Sequence, residues 1–295
     1  MSEGQTFLTP GVRAMFLSTF AFSLANVFVK QVSHIPAMET VFFRCSIATL
    51  FCLIGLYRAN ADPIGTSHLY LLLRGLFGTT ALFCFFLTLQ QMPLASAMTI
   101  QYLSPIFTTI IAIFVLREKV RSAQWLFYAL AFSGVIVIEQ FDTRISPLFM
   151  GLGILSAFCS GMAYNLVRRL TGKEHPLTVV LHFQLVGLIA GLISLLFQWE
   201  APHGWDWLYL MLIGVFSQLG QMLLTYALQN EQVAGVAIIN YTGLVYALTI
   251  GWIVFGEDQG LLSLAGMALV VTGVIMSVLY GRRQMRLAAL ETTAA

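Results

Sequence analysis

The chain has 295 residues, 58% hydrophobic and 9% charged, with a formal net charge of +2 and a mean hydropathy of +0.84. A soluble domain carries about 25% charged residues, so this chain cannot coat a water-facing surface. So small a net charge argues against a nucleic-acid partner.

Apolar runs of about 20 residues, each able to cross ~30 Å of hydrocarbon, recur along the whole length. No alternating ten-residue pattern of a membrane β-barrel appears. The expectation is an all-α integral membrane protein with ten transmembrane helices, over residues 12–32, 37–57, 69–90, 94–116, 122–139, 148–169, 177–198, 206–228, 233–255 and 260–280. Breaks carry turn chemistry or charge: His34-Ile35-Pro36, Asp62-Pro63-Ile64-Gly65, Met92-Pro93, Arg117-Glu118-Lys119, Ser146-Pro147, His175-Pro176, Pro202-His203-Gly204 and Gly256-Glu257-Asp258. The first apolar run is too long for a cleavable signal, and no small-residue cleavage site follows it. Cys45, Cys52, Cys84 and Cys159 lie inside apolar runs and read as packing residues; no metal or disulfide spacing is present. No cofactor is expected.

With the N-terminus placed in the cytoplasm, twelve of the 15 basic residues fall inside. They are Arg13, Arg58, Arg74, Arg117, Lys119, Arg121, Arg168, Arg169, Lys173, Arg282, Arg283 and Arg286; Lys30 and Arg144 fall outside, and Arg44 within a span. This bias orients both termini to the cytoplasm of an inner (plasma) membrane.

The stretch Leu69 to Ile136 recurs without a gap, 139 residues later, as Leu208 to Ile275. Gly75 falls on Gly214, Tyr102 on Tyr241, Glu118 on Glu257 and Gly134 on Gly273. On the flanks Lys30 pairs with Arg168 at 138, Pro36 with Pro176 at 140, and Arg44 with Gln184 at 140. Five spans per repeat is an odd number, so the second copy is inverted, an architecture typical of secondary transporters with a site near the midplane. The expected units are residues 1–142, the first repeat; 143–281, the inverted second; and 282–295, a short polar cytoplasmic tail.

The segments PAMETVFFR (36–44), LLRGLFGTTALFCFFLTLQQMPLASAMTIQYLSPIFTTIIAIFVLREKV (72–120) and FGEDQGLLSLAGMALVVTGVIM (255–276) resemble the EamA-type branch of the drug/metabolite transporter superfamily. The opening with Asn26 and Lys30, then FFR, then RG at 74–75, is similar to the group around S-adenosylmethionine transporters. The resemblance implies a central cavity lined by spans one to four and six to nine, with five and ten peripheral. It also implies substrates among amino acids, nucleotide-like metabolites, organic acids and drugs, often exported.

Polar side chains in hydrocarbon are costly and usually face a cavity or a partner. Arg44, about 10 Å below the outer end of its helix, either grips a substrate carboxylate, pairs with Glu39, or snorkels. Gln101 with Tyr102, and Asn240 with Tyr241, lie at matched depths from opposite faces, as ligand-orienting groups or interhelical hydrogen bonds. Pro105 should kink span four. Gln218, Gln221 and Thr225 share one face of span eight, a polar stripe that reads as cavity lining or as a buried hydrogen-bond network, and Tyr226 follows on the same span. Asn26, Lys30, Tyr164 and His182 are further lining or packing residues. No Asp lies within a span, so exchange or facilitated diffusion, or coupling through His182 or Glu39, is expected rather than a carboxylate relay. Gly187 and Gly191, four apart, read as internal packing.

The residues therefore predict a secondary transporter for a small polar or amphiphilic metabolite, an amino acid or S-adenosylmethionine-like zwitterion, exported or exchanged by alternating access. The expected partners are that small molecule and the lipid bilayer, in a monomer or homodimer. The alternatives, a membrane-embedded lipid-modifying enzyme or a scaffold, lack support: no HExxH, G-x-S-x-G or paired carboxylates occur.

Overall fold

The computed structural model describes residues 10–115, 122–141, 144–230 and 242–294. Among these, all regular structure is helical: α1 (Pro10–Gln31), α2 (Ala37–Ala59), α3 (His68–Gln91), α4 (Leu94–Gln101), α5 (Ser104–Val115), α6 (Ser122–Phe141), α7 (Pro147–Leu170), α8 (Pro176–Leu195), α9 (Asp206–Asn230), α10 (Thr242–Phe255) and α11 (Leu261–Ala294). Helices α4 and α5 together make one span, so the described residues form ten. Seven spans are long and apolar enough to cross a membrane alone; α6, α10 and α11 contribute shorter apolar stretches. Helix α11 continues through residues 282–294, so the expected polar tail is helical.

The boundaries follow local chemistry. Pro147 and Pro176 open α7 and α8, where proline's missing N–H costs nothing and its φ is already helical. Asn60 ends α2 in the left-handed region at φ 48°, its N–H reaching Leu56 O and Tyr57 O.

The two halves are joined by an inverted pseudo-two-fold, and individual contacts repeat under it. Ser18 Oγ–H on α1 donates to Gly220 O on α9 at 2.7 Å. The copies are Ser156 on α7 and Ala81 on α3, and Ser156 Oγ–H donates to Ala81 O at 2.7 Å. Gly75 faces Val186 while its copy Gly214 faces Ile47, the copy of Val186. In α6, Gly134 lies against Gly266 and Val270 of α11; its copy Gly273 lies against Phe127 and Ala131, the copies of those two residues. These pairs set the offset of α2 on α8 at 139, so Arg44 corresponds to Phe183 rather than to Gln184.

The main packing is between halves: α1 on α9, α3 on α7, α2 on α8, and α6 on α11. The last pair packs chiefly on itself, at the periphery. Large apolar side chains stay exposed to the bilayer along α2 (Leu50, Phe51, Ile54) and α8 (Ile189, Leu192, Ile193). Trp199, Trp205 and Trp207 form an exposed cluster at the face opposite the N-terminus, where indoles settle at a headgroup boundary. Gly187 and Gly191 admit Cys45 and Phe42 of α2, so this motif is internal packing. All four cysteines are free and buried.

Candidate functional site

The residues with unmet chemistry gather between α2, α3 and α8. Arg44 on α2 and Arg74 on α3 are 4% and 6% exposed. Both guanidiniums address one ring: the Cζ of Arg44 lies 5.5 Å, and that of Arg74 4.5 Å, from the centroid of Phe183 on α8. Arg44 Nη1 and Arg74 Nε and Nη1 are buried without a hydrogen-bond partner.

Among the described residues the ion pairs are Lys30–Glu257 and His34–Asp206, so neither arginine has a carboxylate. A cation–π contact is worth about 2 kcal/mol when desolvated. Burying an unpaired ion costs several kcal/mol, and two guanidiniums at most about 10 Å apart repel by roughly 1.7 kcal/mol at an effective dielectric of 20. The ring alone cannot balance that. The cluster therefore holds positive charge that nothing among the described residues neutralises.

Arg74 was not expected here. Its place six residues into a helix reads as a loop-side charge, and it was counted inside. The overlooked signal is Gly75 with Gly78: a side chain at Gly78 would overlap Arg74 Nη1 and meet Phe183 at 2.8 Å. Tyr164 on α7 interacts electrostatically with Arg74 and keeps 36% of its surface accessible. Gln184 on α8 is fully buried with both amide atoms unpartnered, as are the hydroxyls of Thr79 and Thr49.

The other expected residues fall into separate groups. Gln101 lies between Ser160 and Ser156 of α7, at 2.8 and 2.9 Å, so its amide is engaged across helices. Tyr102 is buried, with Oη against the Cα of Gly243, beside Thr19 and Met98. Asn26 Nδ2–H donates to Met98 Sδ at 3.1 Å, joining that cluster. Span four is broken, not only kinked: α4 ends at Gln101 and α5 begins at Ser104. Pro105 has no N–H to return to Gln101, and Ile106 N–H turns to Leu103 O at 3.0 Å. Gln218 is buried against α2, with Nε2–H donating to Cys52 Sγ at 3.3 Å and Oε1 unpartnered. Gln221 is half-buried and Tyr226 exposed. Asn240, Tyr241 and Glu118 lie outside the described residues.

At the face opposite the N-terminus the halves are bolted together. Lys30 at the end of α1 pairs with Glu257 between α10 and α11 and donates to Met92 O at 2.6 Å. Glu257 Oε2 accepts from Leu94 N–H at 2.8 Å. Lys30 thus neither snorkels nor lines the arginine site. Glu39 is fully buried; Oε2 accepts from Glu200 N–H at 3.0 Å while Oε1 is unpartnered, and neither oxygen pairs with Arg44. His182 Nδ1 meets Thr178 O at 2.9 Å. A carbonyl only accepts, so Nδ1 carries the proton. On the N-terminal face, Glu174 Oε1 takes Thr66 Oγ1–H, Thr66 N–H and Ser67 N–H at 2.8, 2.8 and 2.6 Å, tying the α7–α8 turn to the α2–α3 loop. Burial pushes the Glu174 carboxyl up, but the bonds from Thr66 and Ser67 together outweigh it and hold the group down at about 2.

Comparison with known proteins decides the class. The profile of the EamA-like transporter family matches residues 9–140 and again 148–279. The chain belongs to the EamA-like transporter family. Its relatives are transporters by name, not enzymes. The pseudopaline exporter CntI of Pseudomonas aeruginosa is 30% identical over 91% of this chain and 95% of its own length. Human solute carrier family 35 member G1 is 31% identical over 84% and 73%, and an S-adenosylmethionine uptake transporter of Rickettsia felis is 23% identical over 95% of both. A solved crystal structure superposes at a TM-score of 0.67 with 16% identity, over 93% of this chain and 98% of that one, sharing the fold. This EamA protein is thus a multi-pass membrane transporter for a small molecule.

Proposed function

We propose that this transporter moves a small, carboxylate-bearing metabolite across the inner membrane by alternating access, in export or exchange, with both termini cytoplasmic. The observation that carries the reading is the bolt at the outer face, Lys30–Glu257 with Met92 and Leu94. It is made from both halves of a molecule whose halves are inverted copies. Breaking it opens one side of the site between the repeats, as alternating access requires. The two family matches, over 9–140 and 148–279, support a division into two units, taken here as 1–142 and 143–281. With Arg74 buried, eleven of the 15 basic residues remain on the cytoplasmic side, which supports the orientation.

Of the two substrate types expected, an amino-acid-like ligand fits better than S-adenosylmethionine, whose sulfonium meets repulsion from Arg44 and Arg74. Gln101 and Tyr102 act as supports of the broken span and Arg44 as the anion clamp. With Asp62, Asp142, Asp206 and Asp258 all at or beyond the ends of the expected spans, exchange is favoured over a carboxylate relay.

The test is counterflow in proteoliposomes with labelled amino acids and S-adenosylmethionine, for wild type, Arg44→Gln and Tyr102→Ala. Saturable exchange that falls at least about tenfold in Arg44→Gln, the loss of one charged hydrogen bond, supports the reading. Exchange indifferent to both variants places the substrate elsewhere.

A further inference from the structure

Two buried cations facing one ring call for more negative charge than one carboxylate brings. Resting on the transport reading, we propose that the Arg44–Phe183–Arg74 cluster binds a ligand with two separated carboxylates, its carbon skeleton lying over Phe183. The guanidinium carbons sit 5.5 and 4.5 Å from the same centroid, so they are at most about 10 Å apart. Arg44 keeps Nη1, and Arg74 keeps Nε and Nη1, buried and unpartnered, each a donor that a carboxylate oxygen can meet.

A ligand with a single carboxylate pairs only one of the two guanidiniums. Two carboxylates leave both arginines paired. The neutral donors and acceptors nearby, the Gln184 amide and the Thr79 hydroxyl, are likewise buried and unpartnered. They supply orientation without further charge. Buried polar groups left open in this density are rare in packed interiors, which marks the cluster as a ligand site rather than core.

The experiment is calorimetric titration of the full chain in detergent with succinate, glutarate, adipate and glutaramate, the monoamide of glutarate, and with inorganic phosphate. Wild type, Arg74→Gln, Arg74→Lys and Arg44→Gln are compared, each first checked by size-exclusion for a folded peak. One of the three dicarboxylates should bind at least about tenfold more tightly than glutaramate, the worth of one charged hydrogen bond. Arg74→Gln should erase that preference, while Arg74→Lys, which keeps the charge, should retain most of it. A best dicarboxylate that binds no more tightly than glutaramate, a preference that survives Arg74→Gln, tighter binding of phosphate, or no binding by any dicarboxylate overturns the proposal. Counterflow of the bound dicarboxylate separates the two readings. Arginine-dependent binding without flux leaves the site standing and removes transport through it. Flux of monocarboxylates unchanged in Arg74→Gln leaves transport standing and removes the site.

Discussion

Tyr102 shows how little room the broken span has. Its hydroxyl lies where a Cβ on Gly243 would be built, with Thr19 Cγ2 only 3.0 Å from that point. Gly243→Ala must therefore push the phenol aside. Overpacking of this kind costs about 1–3 kcal/mol. The expected result is a drop in thermal midpoint and in flux, partly relieved in Gly243→Ala/Tyr102→Phe; unchanged midpoints in the single variant would show that Tyr102 has space to move. Arg44 was legible because it stands seven residues inside an apolar run. Arg74 was not, because its distance from the helix start matches that of a snorkelling residue. Only the side-chain direction, back over Gly78 and toward Phe183, distinguishes the two cases.

Among the elements, the α6–α11 pair is the least tolerant of change. A Cβ at Gly273 would stand 2.7 Å from both Phe127 O and Ala131 N, backbone atoms that cannot turn away. Gly273→Leu should lower stability by roughly 1–3 kcal/mol, read as a loss of thermal midpoint in detergent. The bolt at the outer face predicts a different signature. Lys30→Met leaves Glu257 buried without its cation, so the closed packing loses a buried pair worth several kcal/mol once one partner is gone. A cysteine placed at Gln91, beside Met92, should then react faster with a membrane-impermeant thiol reagent than in the Lys30-containing parent; an equal rate would mean that the bolt does not hold this face shut. Pro105 announced a disturbance of span four, but not its size. The helix yields one turn earlier, at Tyr102 and Leu103, because the donor lost at Pro105 is the one Gln101 would need. The counterpart stretch at 231–241 lies outside the described residues, so the comparison with span nine rests on sequence alone.

At the scale of the whole molecule, duplication was the most legible feature, and the repeated contacts follow it residue by residue. What sequence could not supply was the offset between α2 and α8. Proline alignment gives 140, while the contacts of Gly75 and Gly214 require 139, and that single step changes the partner of Arg44 from an amide to a ring. The two faces are also fastened differently, by an ion pair on one and by a carboxylate on backbone donors on the other. The Glu174 carboxyl is held at about 2, below its free value near 4.5, so its contribution is complete above that free value and fades as pH falls toward 2. The thermal midpoint of wild type minus that of Glu174→Gln should be flat from pH 7 to about 5 and shrink between about 4.5 and 2. The effect should be small, since the group is exposed and solvent screens it. A difference that grows on acidification would contradict the assigned bonds.

The strongest helix pairings, α1 with α9, α3 with α7, α2 with α8 and α6 with α11, all cross from one repeat to the other. Synthesis delivers the first five spans before any of these partners exists. During that interval Ser18, Gly75 and Gly134 face lipid or one another, and the nascent half is open to the wrong neighbour. The same wiring makes the covalent link between α6 and α7 dispensable once both halves are present. Two chains, one ending after α6 and one starting before α7, should find each other in the membrane and restore flux when made together, while either alone should be degraded. The protein is, in this sense, a dimer that happens to be written on one message.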